Sequence, residues 1–206
     1  MSIKLGVLLS GSGTNLQAII DEIAAGRLDA TIEVVISSRE GAYGLKRAAA
    51  AGIKTVSLTP EVYKEDPIAA DAFIASTLLK AGVDYVVMAG YMRMVREPLL
   101  TAFPNRVVNL HPALLPAFKG AHGIQDAFDR GVKVTGVTVH FANADYDCGP
   151  IIAQQPVVVE EGMTIDELEA RIHEVEHVLY PQTLQLLAEG RVTVLPNNTV
   201  SIAPKA

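Results

Sequence analysis

The stretch KLGVLLSGSGTNLQAIIDEIAA, residues 4–25, decides the fold class, because it carries a strand, a glycine-rich loop and a helix in succession. Lys4–Leu9 is a short apolar run, which is typical of a buried strand. Between Leu16 and Ala25, apolar residues recur with the spacing of a helix. A strand joined to a helix through a short loop is the unit from which α/β proteins are built.

The alternation of strand and helix continues through the first half of the chain. Apolar runs predict three further strands, at Ile32–Ile36, Lys54–Leu58 and Tyr85–Met88. Helices are predicted between them at Leu45–Ala51 and Ile68–Ala81. Continuous apolar strands separated by helices indicate a parallel sheet covered by helices on both faces. We therefore predict a Rossmann-like α/β fold.

The pattern changes after residue 110. Val134–Phe141 and Ile151–Val159 have a similar character and are separated by a Gly-Pro turn, so they are predicted to pair as antiparallel strands. The sheet is then mixed but mainly parallel. A capping box at residues 164–167 begins a late helix, and Pro181 should kink or break it near Tyr180, because proline lacks an amide proton. A terminal hairpin is expected over residues 191–202.

Composition limits the class of protein. Half of the 206 residues are hydrophobic and 19% are charged, which favours a single globular domain over residues 1–206. No apolar run is long enough for a membrane span or a secretory signal. The single cysteine, Cys148, fits a reducing compartment, and a net charge of −6 argues against a nucleic-acid partner. We therefore expect a cytoplasmic protein without nucleic-acid or membrane partners. The sequence leaves open whether it is a monomer or a homodimer.

An amide, an imidazole and a carboxylate form the candidate catalytic set. Asn109-Leu110-His111-Pro112 follows a buried strand, and Asp147 lies in a later loop. These groups can stabilise an oxyanion and transfer a proton, and strand ends are where α/β proteins bind ligands. A turn asparagine and a buried core histidine would be the structural alternative. No close His, Cys or Asp spacing favours a metal site.

The loop Gly11–Asn15 is a candidate phosphate site. Glycines let backbone amides turn inward, and the following helix adds its partial positive charge. The third glycine of a dinucleotide fingerprint is missing, although Arg39 could suit an NADP 2′-phosphate. A tight turn with a helix cap is the alternative. A second loop, Ala89–Val95, offers backbone polar groups and soft side chains for a flat heteroaromatic ligand, unless its methionines only fill the core.

With these motifs the chain resembles the phosphoribosylglycinamide formyltransferase family of folate-dependent enzymes. The resemblance runs nearly end to end and rests on residues 8–17, 88–94, 109–116, 138–150 and 174–177. It implies a formyltransferase fold whose amino-terminal half binds phosphate and whose carboxy-terminal half binds folate and is catalytic. It also implies direct, metal-free formyl transfer from the co-substrate 10-formyltetrahydrofolate to the amine of glycinamide ribonucleotide, in de novo purine biosynthesis.

The same resemblance implies roles for individual residues. Asn109 would donate to the oxyanion, His111 would be the general acid–base, and Asp147 would hold and charge its imidazole. The ribonucleotide would contact Gly11, Ser12, Gly13, Thr14, Asn15, Gly90, Pro112 and Glu176. The folate would contact Met92, Arg93, Met94, Val95, Asn109, Asn143, Ala144, Asp145, Tyr146 and Asp147. Thr138 and His140 would support the site from behind.

Some positions depart from the family pattern. The family often carries an arginine before the third helix, where this chain offers only Lys64. Lys119–Gln125, with two glycines, would be a mobile cover over the folate site.

Other functions share parts of these motifs. A methionyl-tRNA formyltransferase or a formyltetrahydrofolate hydrolase would share the catalytic set, but each normally carries an extra domain for which this length leaves no room. An NADP-binding oxidoreductase or non-catalytic module would use Gly11–Asn15 and Arg39, and would leave Asn109, His111 and Asp147 unexplained.

Overall fold

The computed structural model describes residues 2–205, apart from the side chains of Pro60 and Lys64. Its centre is a seven-stranded sheet in the order β3-β2-β1-β4-β5-β6-β7. The strands are β1 (Ile3–Leu9), β2 (Ala30–Ser37), β3 (Thr55–Ser57), β4 (Tyr85–Met88), β5 (Val107–His111), β6 (Val134–Phe141) and β7 (Ile151–Val158). The first five strands run parallel, and β6 and β7 are antiparallel additions. The predicted mixed, mainly parallel sheet is confirmed.

The described helices lie on both faces of this sheet. They are α1 (Thr14–Ala24), α2 (Tyr43–Ala50), α3 (Pro60–Glu65), α4 (Pro67–Lys80), α5 (Glu97–Ala102), α6 (Gly123–Asp129) and α7 (Ile165–Ala188). Neighbouring residues of β1 point to opposite faces, so Val7 and Leu9 pack with α1 and α7 while Leu8 packs with α4. Two apolar layers therefore cover the sheet, as the apolar strands predicted.

The terminal hairpin is also confirmed. It consists of β8 (Val192–Val194) and β9 (Val200–Ile202), which pair as a separate antiparallel sheet. Among residues 2–205, no helix is both long enough and apolar enough to cross a membrane.

Of the kink or break predicted near Tyr180 in the late helix, the break is wrong. Helix α7 begins at the predicted capping box of Thr164 and continues through Pro181 to Ala188. Proline removes one backbone hydrogen bond, but Tyr180 and Leu184 are fully buried in the core on either side of it. The Tyr180 hydroxyl also donates toward the carbonyl oxygens of Met88 (3.1 Å) and Val108 (3.0 Å). Packing against the sheet therefore holds the helix together across the proline.

The short helices α3, α5 and α6 were not predicted. Each has six or seven residues, too few for a helical periodicity to emerge from the sequence. As a result, the predicted cover Lys119–Gln125 is shorter than expected, because α6 begins at Gly123.

Candidate active site

A cavity of about 490 Å³ opens at the carboxyl ends of β1, β4 and β5. This edge of a parallel sheet is where α/β proteins bind ligands. The loops after β1, β4 and β6 and one face of α7 complete its wall. The predicted site residues on the wall are Gly11, Ser12, Gly13, Thr14, Asn15, Gly90, Met92, Arg93, Met94, Val95, Asn109, His111, Pro112, His140, Asn143, Asp145, Tyr146, Asp147 and Glu176.

The pairing of β5 with β6 brings the catalytic candidates together. Asn109 lies opposite His140, and His111 lies opposite Thr138. Since alternate strand residues share a face, Asn109 and His111 point to the same side of the sheet. The antiparallel register therefore explains why a histidine thirty-one positions further along is in contact with the Asn109 amide.

Asp147 reaches this group from the loop that follows β6. Its φ of 51° lies in the left-handed region, which non-glycine residues rarely adopt. Two residues later, Gly149 packs so closely on β6 that a Cβ atom would lie 1.7 Å from the Phe141 carbonyl oxygen. The Asp-x-Gly-Pro segment thus folds tightly over β6 and directs the carboxylate at His111 and His140.

The carboxylate of Asp147 lies close to one backbone amide and to two imidazole rings. Its Oδ2 accepts a hydrogen bond from the Gly120 amide (2.8 Å) and lies 3.5 Å from His111 Nδ1. Its Oδ1 lies 3.6 Å from His140 Nε2. Burial raises the pKa of Asp147, but the close contact with His140, the hydrogen bond from the Gly120 amide and the nearby imidazoles outweigh it, so the net pKa is lowered. Asp147 is therefore ionised at neutral pH.

His140 orients the Asn109 amide. His140 Nδ1 donates to the Phe141 carbonyl oxygen (2.9 Å), which leaves Nε2 of the neutral ring as an acceptor. Asn109 Nδ2 donates to that Nε2 at 3.1 Å and only weakly to Asp147 Oδ1 at 3.5 Å. One N–H of the amide is thus fixed, and the other makes only a long contact that a ligand in the cavity can replace.

His111 is held between Asp147 and the covering loop. Its Nε2 donates to the carbonyl oxygen of Phe118 at 2.8 Å. Because Gly120 of the same loop bonds to Asp147, residues 118–120 close directly over both side chains. For Nε2 to exchange a proton with a ligand, its contact with Phe118 must open.

Thr138 supports the loop that follows His111 and does not line the cavity. Its hydroxyl donates to the Ala113 carbonyl oxygen (2.7 Å) and accepts from the Leu115 amide (3.1 Å). Gln154 on β7 joins this group by donating to Thr138 Oγ1 and the Leu115 carbonyl oxygen, both at 2.9 Å. Sequence reasoning missed Gln154, because only the pairing of β6 with β7 reveals its contact.

The glycine-rich loop presents the open end of α1 to the cavity. Gly13 occupies the N-cap position with φ 72° and forms no side-chain cap, so the alternative of a Thr or Asn cap is not realised. A Cβ atom on Gly13 would lie 2.6 Å from Gly44 Cα, which explains why glycine is needed there. Arg47 Nε braces the loop by donating to the Ser12 carbonyl oxygen (3.0 Å). The amides of this loop are therefore available to an anion.

Glu176 on α7 faces the same end of the cavity. Its side chain is buried, and Oε2 accepts from Asn15 Nδ2 at 3.0 Å and from His173 Nδ1 at 2.9 Å. His173 also lines the cavity, and sequence reasoning missed it. Its position three residues before Glu176 on one helix was the available signal, since such residues share a helix face.

The loop after β4 forms the apolar part of the wall. Met92 and Met94 of this loop are 60% and 42% exposed, and Tyr146 of the loop after β6 is 48% exposed; all three line the cavity, and large apolar side chains are left open in this way at binding surfaces. The Met92 amide is already used, because it donates to Ser10 Oγ at 2.9 Å. Arg93 lies over the Tyr63 ring, with its guanidinium carbon 5.0 Å from the ring centroid.

Two residues that were predicted to contact the folate are not among the described residues of the cavity wall. Ala144 is exposed at a bend of the loop after β6 and is not on the cavity wall, and its folate contact stays a prediction. The side chain of Lys64 lies outside the described atoms. Within the described residues, no three His, Cys, Asp or Glu side chains are grouped as a metal site would require.

Comparison with known proteins shows which family this chain resembles. The family model described as Formyl transferase matches residues 3–184. The human trifunctional purine biosynthetic protein adenosine-3 is 39% identical over 197 residues, which are 96% of this chain but 19% of the human protein. The Bacillus subtilis phosphoribosylglycinamide formyltransferase is 36% identical over 89% of this chain and 94% of its own. The crystal structure of glycinamide ribonucleotide transformylase 1 from Symbiobacterium toebii is 50% identical, with a TM-score of 0.94, over 98% of this chain and 94% of that one.

The fold and the site together define an α/β protein with a partly polar cavity where the sheet changes from parallel to antiparallel strands. More particularly, the chain belongs to the formyl transferase family. The resemblance seen in the sequence is confirmed. The chain spans about a fifth of the length of the trifunctional relatives and nearly all of the single-function ones.

Proposed function

We propose that this protein transfers the formyl group of 10-formyltetrahydrofolate to the amine of glycinamide ribonucleotide, a step of purine biosynthesis. The observation that carries the proposal is the contact of Asn109, His111 and Asp147 at the floor of a cavity that also receives the Gly11–Asn15 loop. One end of this cavity offers amides for a phosphate, and the other offers groups that move a proton. The two are joined by an apolar wall large enough for a heteroaromatic ring.

The chemistry follows from the groups at the floor. The substrate amine attacks the formyl carbon, a carbon–nitrogen bond forms, and the carbonyl oxygen becomes an oxyanion. Asn109 Nδ2 donates its loosely held N–H to this oxygen, while His140 fixes the amide plane. The bond from the formyl carbon to the folate nitrogen then breaks. His111 carries the proton lost by the amine to the departing nitrogen, and Asp147 stabilises the imidazolium in between.

The binding roles divide along the cavity, within a single domain over residues 1–206. The ribonucleotide phosphate binds at Gly11, Ser12, Gly13, Thr14 and Asn15, its sugar hydroxyls meet Glu176, and Gly90 and Pro112 border it. The folate lies along Met92–Val95 and Asn143–Asp147. Since the Met92 amide is held by Ser10, the backbone donors and acceptors of the neighbouring residues serve the pterin. The contact at Lys64, a cytoplasmic location and a monomeric or homodimeric state remain predictions.

The deciding experiment is a formyl-transfer assay with glycinamide ribonucleotide and 10-formyltetrahydrofolate. Transfer by the parent, with turnover abolished in His111→Ala, is the expected result. Release of formate without transfer would favour a folate hydrolase. A melting temperature raised by NADP but not by a folate analogue would overturn the proposal in favour of a nucleotide-binding module, since a ligand at a hundred times its Kd adds about 2.7 kcal/mol of stability.

A further inference from the structure

Glu176 places a buried carboxylate at the end of the cavity where the ribonucleotide is proposed to bind. It is 4% exposed, and its carboxylate is tied through Asn15 to the loop proposed to bind a phosphate. A buried carboxylate and a bound phosphate repel each other strongly in a region of low dielectric constant. A nearby positive charge is therefore needed if both are to be present together.

His173 is placed to supply that charge. Its Nδ1 donates to Glu176 Oε2 at 2.9 Å, and its Nε2 lies 3.5 Å from Glu169 Oε1. An imidazole with a carboxylate at each nitrogen is stabilised in its doubly protonated form. The ring is less than half exposed and lines the same cavity. No other described side chain donates to Glu176 except that of Asn15, which is neutral.

The contacts leave one oxygen of Glu176 for a ligand. Both donors bind Oε2, whereas Oε1 accepts no hydrogen bond from any described residue. Oε1 is also not sealed from solvent, because the buried atoms without partners in the described chain are Asn15 Oδ1, Thr135 Oγ1 and His177 Nε2. Glu176 is therefore held at one edge and open at the other.

We propose that His173 is a positioning residue for the ribonucleotide: its imidazolium fixes and neutralises Glu176, so that Oε1 meets the ribose hydroxyls while the Gly11–Asn15 loop holds the phosphate. The proposal rests on the proposed function, because it names the part of that substrate which Glu176 contacts. His173 itself touches neither the formyl group nor the folate.

Because the proposed role of His173 depends on its charge, ribonucleotide binding should depend on pH. Hydrogen bonding to Glu176 raises its pKa, burial lowers it, and the charges of Glu176 and Glu169 raise it again, for a net increase. The titratable groups that face it on α7 are Glu169, Glu176 and His177, and the loop packed on that face contributes Asn15, which does not titrate. Burial lowers the pKa of His177, so His177 adds no competing charge at neutral pH. The imidazolium is thus present below the raised pKa of His173 and lost as the pH rises through it.

The test compares KM for glycinamide ribonucleotide across pH 5.5 to 9 in the parent, His173→Gln and Glu169→Gln. In the parent, KM should rise about tenfold as His173 loses its proton, while kcat and KM for folate do not follow that step. Gln can still donate a hydrogen bond but carries no charge, so His173→Gln should show the high KM with this step absent. The substrate phosphate itself loses a proton near pH 6 and can also change KM. This change is the same in the parent and in His173→Gln, so the difference between their profiles reports the histidine alone.

Glu169→Gln sharpens the assignment. Without one of its two carboxylate neighbours, His173 should lose its proton at a lower pH, so the step in KM should move to lower pH. The KM values below and above the step should not change. Arg171→Gln, an exposed change on the same helix, is the control and should leave the profile as it is. Equal KM steps in the parent and in His173→Gln, or a rise in both substrates' KM in His173→Gln, would overturn the proposal.

Two measurements separate this proposal from the function itself. Calorimetric titration with glycinamide ribonucleotide alone reports binding without formyl transfer, and its Kd should follow the same pH step. An NMR titration of the His173 ring in the ligand-free protein should give a pKa above that seen in Glu176→Gln. If the ribonucleotide does not bind at any pH, the proposed function fails; if it binds without a histidine step, only the role of His173 fails.

Discussion

The two ends of the cavity differ in how their polar groups are held. At the catalytic end (Asn109, His111, His140 and Asp147), the imidazoles and the carboxylate are 4%, 1% and 8% exposed, and each has protein partners in place. At the phosphate end (Gly11–Asn15 with Glu176), Gly11 and Ser12 are exposed, and the available donors are backbone amides at the start of α1. Under the proposed function, the side chains of the catalytic end are in contact before a substrate binds, although the contact of His111 with Phe118 must open. The phosphate end, in contrast, is completed by the substrate.

This difference has a physical reason. Groups that stabilise a transition state are most effective when they need no reorganisation during the reaction. A phosphate is already charged in the ground state, so amides that also bond to water can hold it. Substitutions at the catalytic end should therefore lower turnover, and substitutions at the phosphate end should raise KM for the ribonucleotide.

The largest effect is expected for Asn109→Ala. Removing the oxyanion donor should lower kcat by about 10²- to 10³-fold, with KM for both substrates within a fewfold of the parent. Steady-state kinetics with each substrate varied in turn would measure this. Asn197→Ala, an exposed change in the terminal hairpin, is the control. A variant with normal kcat and a raised KM would contradict the expectation that the catalytic end governs turnover and the phosphate end governs substrate binding.

Asp147→Asn should lower kcat by about 10²-fold, because the His111 imidazolium loses its counter-charge. It should also change how stability depends on pH. The pKa of Asp147 is lowered in the folded protein, so its ionisation contributes stability above the ordinary carboxyl pKa of about 3.9, and this is lost as the pH falls through the lowered value.

Denaturant unfolding at pH 7 and pH 3 would measure the second effect. The loss of stability between the two pH values should be smaller in Asp147→Asn than in the parent and in Asp129→Asn, an exposed control on α6. The same loss in all three proteins would mean that Asp147 has an ordinary pKa when folded.

Gly13→Ala tests the phosphate end. The new Cβ would approach Gly44 Cα to 2.6 Å, and φ is 72°, so the loop must shift. We expect KM for the ribonucleotide to rise about tenfold and stability to fall by about 1–3 kcal/mol, with kcat nearly unchanged. Gly26→Ala is a matched control, because its φ of 69° imposes the same backbone strain with nothing within 4 Å. If both variants lose the same affinity, crowding at Gly13 is not the cause.

The smallest effect is expected where the two ends meet. Ser10 Oγ accepts the Met92 amide at 2.9 Å and shares a hydrogen bond with Ser38 Oγ at 2.6 Å. Ser10→Ala leaves the Met92 amide without its acceptor, so KM for folate should rise about two- to tenfold. Ser38→Ala keeps that acceptor and should change KM for folate less, as measured in the same assay. A larger change in Ser38→Ala would show that Met92 is held by other contacts.

Sequence reasoning predicted most of the fold for a local reason. Apolar runs and helical spacing are recorded in consecutive residues, so the longer strands and helices and both hairpins could be recognised. It erred where a contact far along the chain overrides a local preference: α7 continues through Pro181 because its neighbours are buried in the core. The short helices carry too little periodicity to be recognised.

By itself, the sequence determined the strand–loop–helix order, the polar groups at strand ends and the resemblance to folate-dependent formyl transferases. Only the tertiary structure decided which of these groups touch. The antiparallel register of β5 and β6 joins His140 to Asn109, and the tight turn at Gly149 brings Asp147 to them. The approach of α7 to the first loop joins Glu176, which His173 also contacts, to Asn15, 161 residues away in the chain. Hydrogen bonding acts over about 3 Å of space, whatever the separation in sequence, so such partners are not recorded in any local pattern.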